Sequence, residues 1–121
     1  MTILADTSVW VDHFLRGNAR LAGLLDAGDV RSHPYVVGEL AMGRWRDRPD
    51  VFRELSKLDE ARVAAQREVM SLIERVPLWG CGIGWVDAHL IASALLDRLR
   101  LWTLDRRLAQ VAREVGVGWP A

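Results

Sequence analysis

The stretch Gly82 to Asp105, GIGWVDAHLIASALLDRLRLWTLD, carries one acid near the start of an apolar helical pattern and another just past a short β-forming run. From Trp85 to Leu99 the apolar residues Val86, Leu90, Ala94 and Leu95 recur at steps of three and four, and glycines precede them. That spacing predicts a helix with Asp87 in its first turn. Leu101, Trp102, Thr103 and Leu104 form a short strand-favouring run, flanked by arginine-rich sequence and followed at once by another helical pattern. Asp105 then falls at a strand's carboxyl end.

The N-terminus repeats this order of strand, acid and helix. Thr2 to Ala5 is a short apolar run, and Asp6, Thr7 and Ser8 follow as helix-capping residue types ahead of Val9, Trp10, Val11, Phe14 and Leu15. A second helix is expected over 19–27, closed by Gly28, and a strand over 30–33. Pro34 suits the first turn of a helix that includes Tyr35, Val36, Val37, Leu40, Ala41 and Met42, with Glu39 set among these apolar neighbours. Residues 43–50 read as an exposed loop or a frayed helix end, 51–58 and 61–76 as helices, 78–79 as a short strand, 106–115 as a last helix and Val117 as an edge strand. Alternating strands and helices favour a parallel sheet covered on both faces. In such sheets the functional crevice lies beyond the carboxyl ends of the strands, where Asp6 and Asp105 are expected.

The sequence has 121 residues, enough for one domain over 1–121 and too few for two ordinary ones. Half of the residues are hydrophobic and 26% are charged, a globular composition, and no apolar run is long enough to cross a bilayer. MTILADTS reaches an acid at its sixth position without the basic start and long apolar segment of a secretion signal, so a cytoplasmic location is expected. Cys81 is the only cysteine, which excludes an internal disulfide and a multi-cysteine metal site and suggests a small core residue. The formal net charge is zero, so total charge gives no push toward nucleic acid. Arginine nevertheless clusters at Arg44, Arg46, Arg48 and Arg53, and again at Arg98, Arg100, Arg106 and Arg107. Guanidinium forks suit phosphate and surface carboxylates alike.

A parallel sheet brings Asp6 and Asp105 to one edge, where helices beginning nearby can add Asp87 and Glu39. Two unit charges about 4 Å apart repel by roughly 4 kcal/mol at a surface-like dielectric, so four such carboxylates need a counter-charge. Oxygen ligands without histidine or cysteine point to Mg2+ or Mn2+ rather than zinc. Such an ion lowers the pKa of a bound water and stabilises charge on phosphoryl oxygens, which suits phosphodiester hydrolysis. Each acid also has a purely structural role open to it: a helix cap for Asp6 and Asp105, a first-turn acid for Asp87, a solvated residue for Glu39. Trp10 and Trp85 are candidates for stacking an unpaired base, although helical tryptophans are more often core. His13, His33 and His89 are scattered, and a catalytic histidine is not expected.

With ADTSVW, VVGEL, GIGWVDAHLIASAL and LWTLD in this order, the chain resembles the PIN-domain ribonucleases, in particular the VapC toxins of type II toxin–antitoxin pairs. The resemblance covers essentially the full length. It implies an α/β three-layer sandwich with a central, mainly parallel sheet flanked by helices, and an acidic Mg2+ or Mn2+ pocket. It also implies endoribonuclease activity, a homodimer and a small cognate antitoxin. Carried over by position, Asp6, Glu39, Asp87 and Asp105 become metal ligands and catalytic residues, with Ser8 and Thr103 as hydroxyls that orient them. Many relatives carry a further acid where this chain has Arg107, which puts a second ion in doubt and makes Arg106 and Arg107 candidates for the RNA backbone. A phosphorylatable receiver domain is a rival of similar length, but its chemistry needs a lysine after a late strand, and Lys57 is the only lysine. A non-catalytic PIN-like module that binds RNA or a partner is the other alternative.

Overall fold

β1 (Ile3–Ala5) lies at the centre of a parallel sheet between β2 (Val30–Arg31) and β3 (Arg100–Trp102), with Ile3 opposite both Val30 and Arg100. Buried on both faces, the β1 triplet is apolar without alternation, as expected of a covered parallel strand. The computed structural model describes residues 1–120. Its helices are α1 (Thr7–Arg16), α2 (Ala19–Asp26), α3 (Pro34–Ala41), α4 (Arg48–Ser56), α5 (Gln66–Arg75), α6 (Trp85–Asp97) and α7 (Arg106–Val115). The result is the α/β arrangement expected, a parallel sheet flanked by helices. Single parallel bridges, Ser32 with Glu60 and Leu101 with Gly118, extend the sheet beyond β2 and β3.

Ala88 to Ala94 on α6 are buried without interruption. A helix that is apolar on nearly all sides belongs in the interior, and α6 carries Leu90 and Ile91 into the core with Ile3, Leu4 and Leu101. Each such side chain contributes roughly 2 kcal/mol of burial. α7 is the opposite case, burying Leu108, Val111 and Ala112 on one stripe and exposing arginines on the other.

Some boundaries differ from those read in the sequence. The helix expected over 61–76 begins only at Gln66, because the preceding segment runs beside β2. There the Ser32 N–H donates to the Asp59 carbonyl and the Ala61 N–H to the Ser32 carbonyl. Ala65 is extended, and Glu68 reaches back to its N–H. The expected strand at 78–79 is a turn closing α5, with the Leu78 N–H on the Ile73 carbonyl. α4 starts at Arg48, inside the segment expected as a loop or a frayed helix end, since Arg48 anchors it to the Ala41 and Gly43 carbonyls and stacks on Phe52. Val117 pairs as expected at an edge, accepting from the Leu101 N–H. No described helix is long and apolar enough to cross a membrane.

Candidate metal centre

Asp6 follows β1 directly and caps α1, its Oδ1 accepting the Ser8 N–H at 2.9 Å. The same oxygen accepts the Ser8 hydroxyl, and Oδ2 accepts the Thr103 hydroxyl at 2.7 Å. Both hydroxyls in turn accept backbone donors: Ser8 Oγ from Leu104 and Thr103 Oγ1 from Asp105. Their protons are therefore committed to Asp6, and the 3.3 Å between the two hydroxyl oxygens is a contact rather than a shared proton. Asp6 is 7% exposed, and burial pushes its carboxyl above the usual range while the Ser8 and Thr103 hydrogen bonds pull it back.

Asp105 caps α7, its Oδ1 accepting the Arg107 and Leu108 N–H groups at 2.8 and 3.2 Å. Asp87 sits in the first turn of α6 and accepts the Gly84 N–H through Oδ2 at 3.0 Å. Glu39 lies near the end of α3, solvent-exposed, with Oε1 accepting the Thr7 hydroxyl at 2.5 Å. Sequence reading gave Thr7 only a capping role; its tie to Glu39 spans two helices and leaves no local pattern.

These contacts link three of the four acids in an open chain from Glu39 to Asp6 and Asp105, while Asp87 bonds only to Gly84. Thr103 joins Asp6 to the backbone of Asp105, and Thr7, the neighbour of Asp6, holds Glu39. The carboxyl of Asp87 is raised by burial, and the negative charges of Asp105 and Glu39 raise it further. The four acids of the sequence reading thus border one region. Asp87, Asp105 and Glu39 each use one carboxyl oxygen for a cap or tether, and the other oxygen makes no hydrogen bond among the described residues. Among the described residues, no three acidic, histidine or cysteine side chains stand close enough to hold an ion directly. The donor set still suits a hard cation that keeps much of its water and takes few direct carboxylate bonds.

Arg107 lies over the turn before α6. Its Nη1 approaches the Cys81 carbonyl at 3.3 Å, and a Cβ at Gly82, where φ is 86°, would stand 3.3 Å from its Cγ. Arg106 is exposed at the start of α7. Trp10 is core, whereas Trp85 is 43% exposed beside Asp87. His13 lies on α1 and accepts the Asn18 N–H, while His33 and His89 are buried. A groove of about 590 Å3 between α1, α2 and α4, lined by Trp10, Phe14, Leu25 and Leu55, contains none of the four acids. This groove is therefore separate from the four acids.

A PIN domain family model matches residues 3–114. The chain is 44% identical over 116 residues to "Ribonuclease VapC32" of Mycobacterium tuberculosis, in both strain CDC 1551 and strain H37Rv, covering 95% of this chain and 94% of the relative. The crystal structure of PAE2754 from Pyrobaculum aerophilum superposes with a TM-score of 0.64 at 17% identity, covering 92% of this chain and 79% of that one, a likeness of fold. With the family model spanning nearly every element and close relatives matched end to end, this chain belongs to the PIN-domain family, within its VapC group.

Proposed function

We propose that the chain, as one nuclease unit over 1–121, is a metal-dependent endoribonuclease acting as the toxin of a toxin–antitoxin pair. The observation that carries this reading is the linkage of Glu39, Asp6 and Asp105 through Thr7 and Thr103, with Asp87 near enough to feel the charges of Asp105 and Glu39. Relatives named ribonucleases, similar over nearly the whole chain, support it.

Asp6, Glu39, Asp87 and Asp105 would hold Mg2+ or Mn2+, directly or through water. When bound, the ion supplies an activated water and offsets charge on the phosphoryl oxygens. Ser8 and Thr103 hold the Asp6 carboxylate in one orientation, so that it needs no reorganisation to act. Asp87, raised by burial and by its acidic neighbours, stays ionised most readily when a cation is present. Arg106 and Arg107, at the start of α7 beside Asp105, would meet the RNA backbone on this reading. The partners on this reading are RNA, a cognate antitoxin and a second copy of the chain in a homodimer, working in the cytoplasm.

Expression of the chain alone and as Asp87→Asn tests the proposal. Growth arrest and Mg2+-dependent, chelator-sensitive RNA cleavage are expected from the native sequence and not from the variant. Equal cleavage by both would refute it, and binding of RNA without cleavage would favour a non-catalytic module.

A further inference from the structure

We propose that His33 is a positioning residue that fixes the register of α3 against α6, and with it the placement of Glu39 relative to Asp87; the inference rests on reading those two acids as members of one site.

His33 is fully buried where the chain turns from β2 into α3. Its Nδ1 accepts the Tyr35 N–H at 3.0 Å, capping the helix, so in the neutral ring the proton resides on Nε2. That nitrogen lies 3.0 Å from the Ser93 hydroxyl, also fully buried, in the body of α6, and donates to it. A second contact follows along the same pair of helices. Tyr35 meets His89 edge to face at 4.6 Å between ring centroids. Beyond Tyr35 on α3 lies Glu39, and before His89 on α6 lies Asp87. From His33 to Tyr35 along α3, the partners step from Ser93 to His89, toward the N-terminus of α6. The helices are therefore matched in antiparallel register. Glu39 and Asp87 each lie about 9 Å of helix rise from their end of the His33–Ser93 link. A slip at the link would be passed to both acids along rigid helices.

Capping alone does not call for histidine, since Ser, Asn or Asp satisfies an N-terminal amide as well and at lower desolvation cost. What imidazole adds is a second polar atom on the far side of the ring. Asparagine can imitate Nδ1 but falls short of Ser93. Glutamine can place an amide N–H where Nε2 stands but gives up the cap. The two substitutions separate a capping role from a positioning role.

The experiment compares the native protein with His33→Asn, His33→Gln, Ser93→Ala and the double variant His33→Asn/Ser93→Ala. It reads Mn2+ affinity by calorimetry, kcat and KM on RNA, and melting temperature. Supporting residues behind metal ligands are typically worth about ten- to a hundredfold in metal affinity, so His33→Asn and Ser93→Ala should each weaken Mn2+ at least about tenfold. Both should lower kcat while KM changes by less than about twofold, as for a lost transition-state arrangement. The double variant should be no weaker than either single one, and His33→Gln should retain affinity within about threefold. A folded Ser93→Ala with native Mn2+ affinity and kcat overturns the inference, as does a loss that tracks melting temperature in all variants. Native protein that binds Mn2+ but cuts no RNA refutes the nuclease reading alone, and the Mn2+ series still decides the role of His33. Native protein that takes up no Mn2+ overturns both.

Discussion

Replacing Asp87 by asparagine should make the metal-free protein more stable while abolishing cleavage. Asparagine keeps an oxygen to accept the Gly84 N–H and removes a charge that Asp105 and Glu39 oppose. Across a partly solvated site, each like-charged neighbour costs about 1 kcal/mol. Screening at physiological salt and partial exposure reduce the sum to about 1 kcal/mol. For a chain of this size that corresponds to a rise of about 4 °C in melting temperature. The pH dependence has a defined sign. Burial, then the neighbouring charges, raise the folded-state carboxyl above its ordinary value of 3.8. The penalty in the native sequence is present above the folded-state pKa and is relieved as pH falls through it, so the advantage of the variant should vanish toward pH 4. Calorimetric melting at low salt, at pH 7 and pH 4, measures this. Saturating Mn2+ should reverse the order, because a ligand at about 100 times its Kd adds about 2.7 kcal/mol only where it binds. A variant less stable than the native protein at pH 7 without metal, or an advantage indifferent to salt and pH, would refute the reasoning.

Thr103→Val removes one donor from the buried Asp6 carboxyl and an acceptor from the Asp105 N–H, so it should cost about 2 kcal/mol in urea denaturation and raise the Asp6 pKa further. Burial, followed by the neighbouring His89, lowers the His33 pKa to about 4 from 6.5. Below pH 6.5 the unfolded chain therefore takes up a proton that the folded one refuses. Stability should fall by about 2 to 3 kcal/mol between pH 6.5 and 4, and denaturation of His33→Gln across that range should lack this component.

The residues nearest the sheet were the most legible in sequence. TILA before Asp6 and LWTL before Asp105 are short strand-favouring runs, each followed directly by a helix-capping acid, and the parallel pairing of β1 with β3 brings those ends together. Glycines and apolar spacing fixed the start of α6, because its capping by Gly84 and Asp87 is local. The start of α5 was not legible. The competing demand on residues 59–61 comes from Ser32, far away in sequence, and helical propensity yields to that pairing. The ties of Thr7 to Glu39 and of His33 to Ser93 are invisible for the same reason, since each joins two elements whose approach only the fold determines. Arg107 read from sequence as a candidate for the RNA backbone; in the fold its stem lies on Gly82 and its guanidinium approaches Cys81.

The chemistry of the cut ends tests the central claim most directly. If the four acids hold an ion that activates water, end-labelled RNA cleaved in Mg2+ or Mn2+ should carry a 5′-phosphate and a 3′-hydroxyl, with no product once the ion is chelated. A 2′,3′-cyclic phosphate formed in the presence of chelator would mean that the RNA's own 2′-hydroxyl is the nucleophile and would contradict the account.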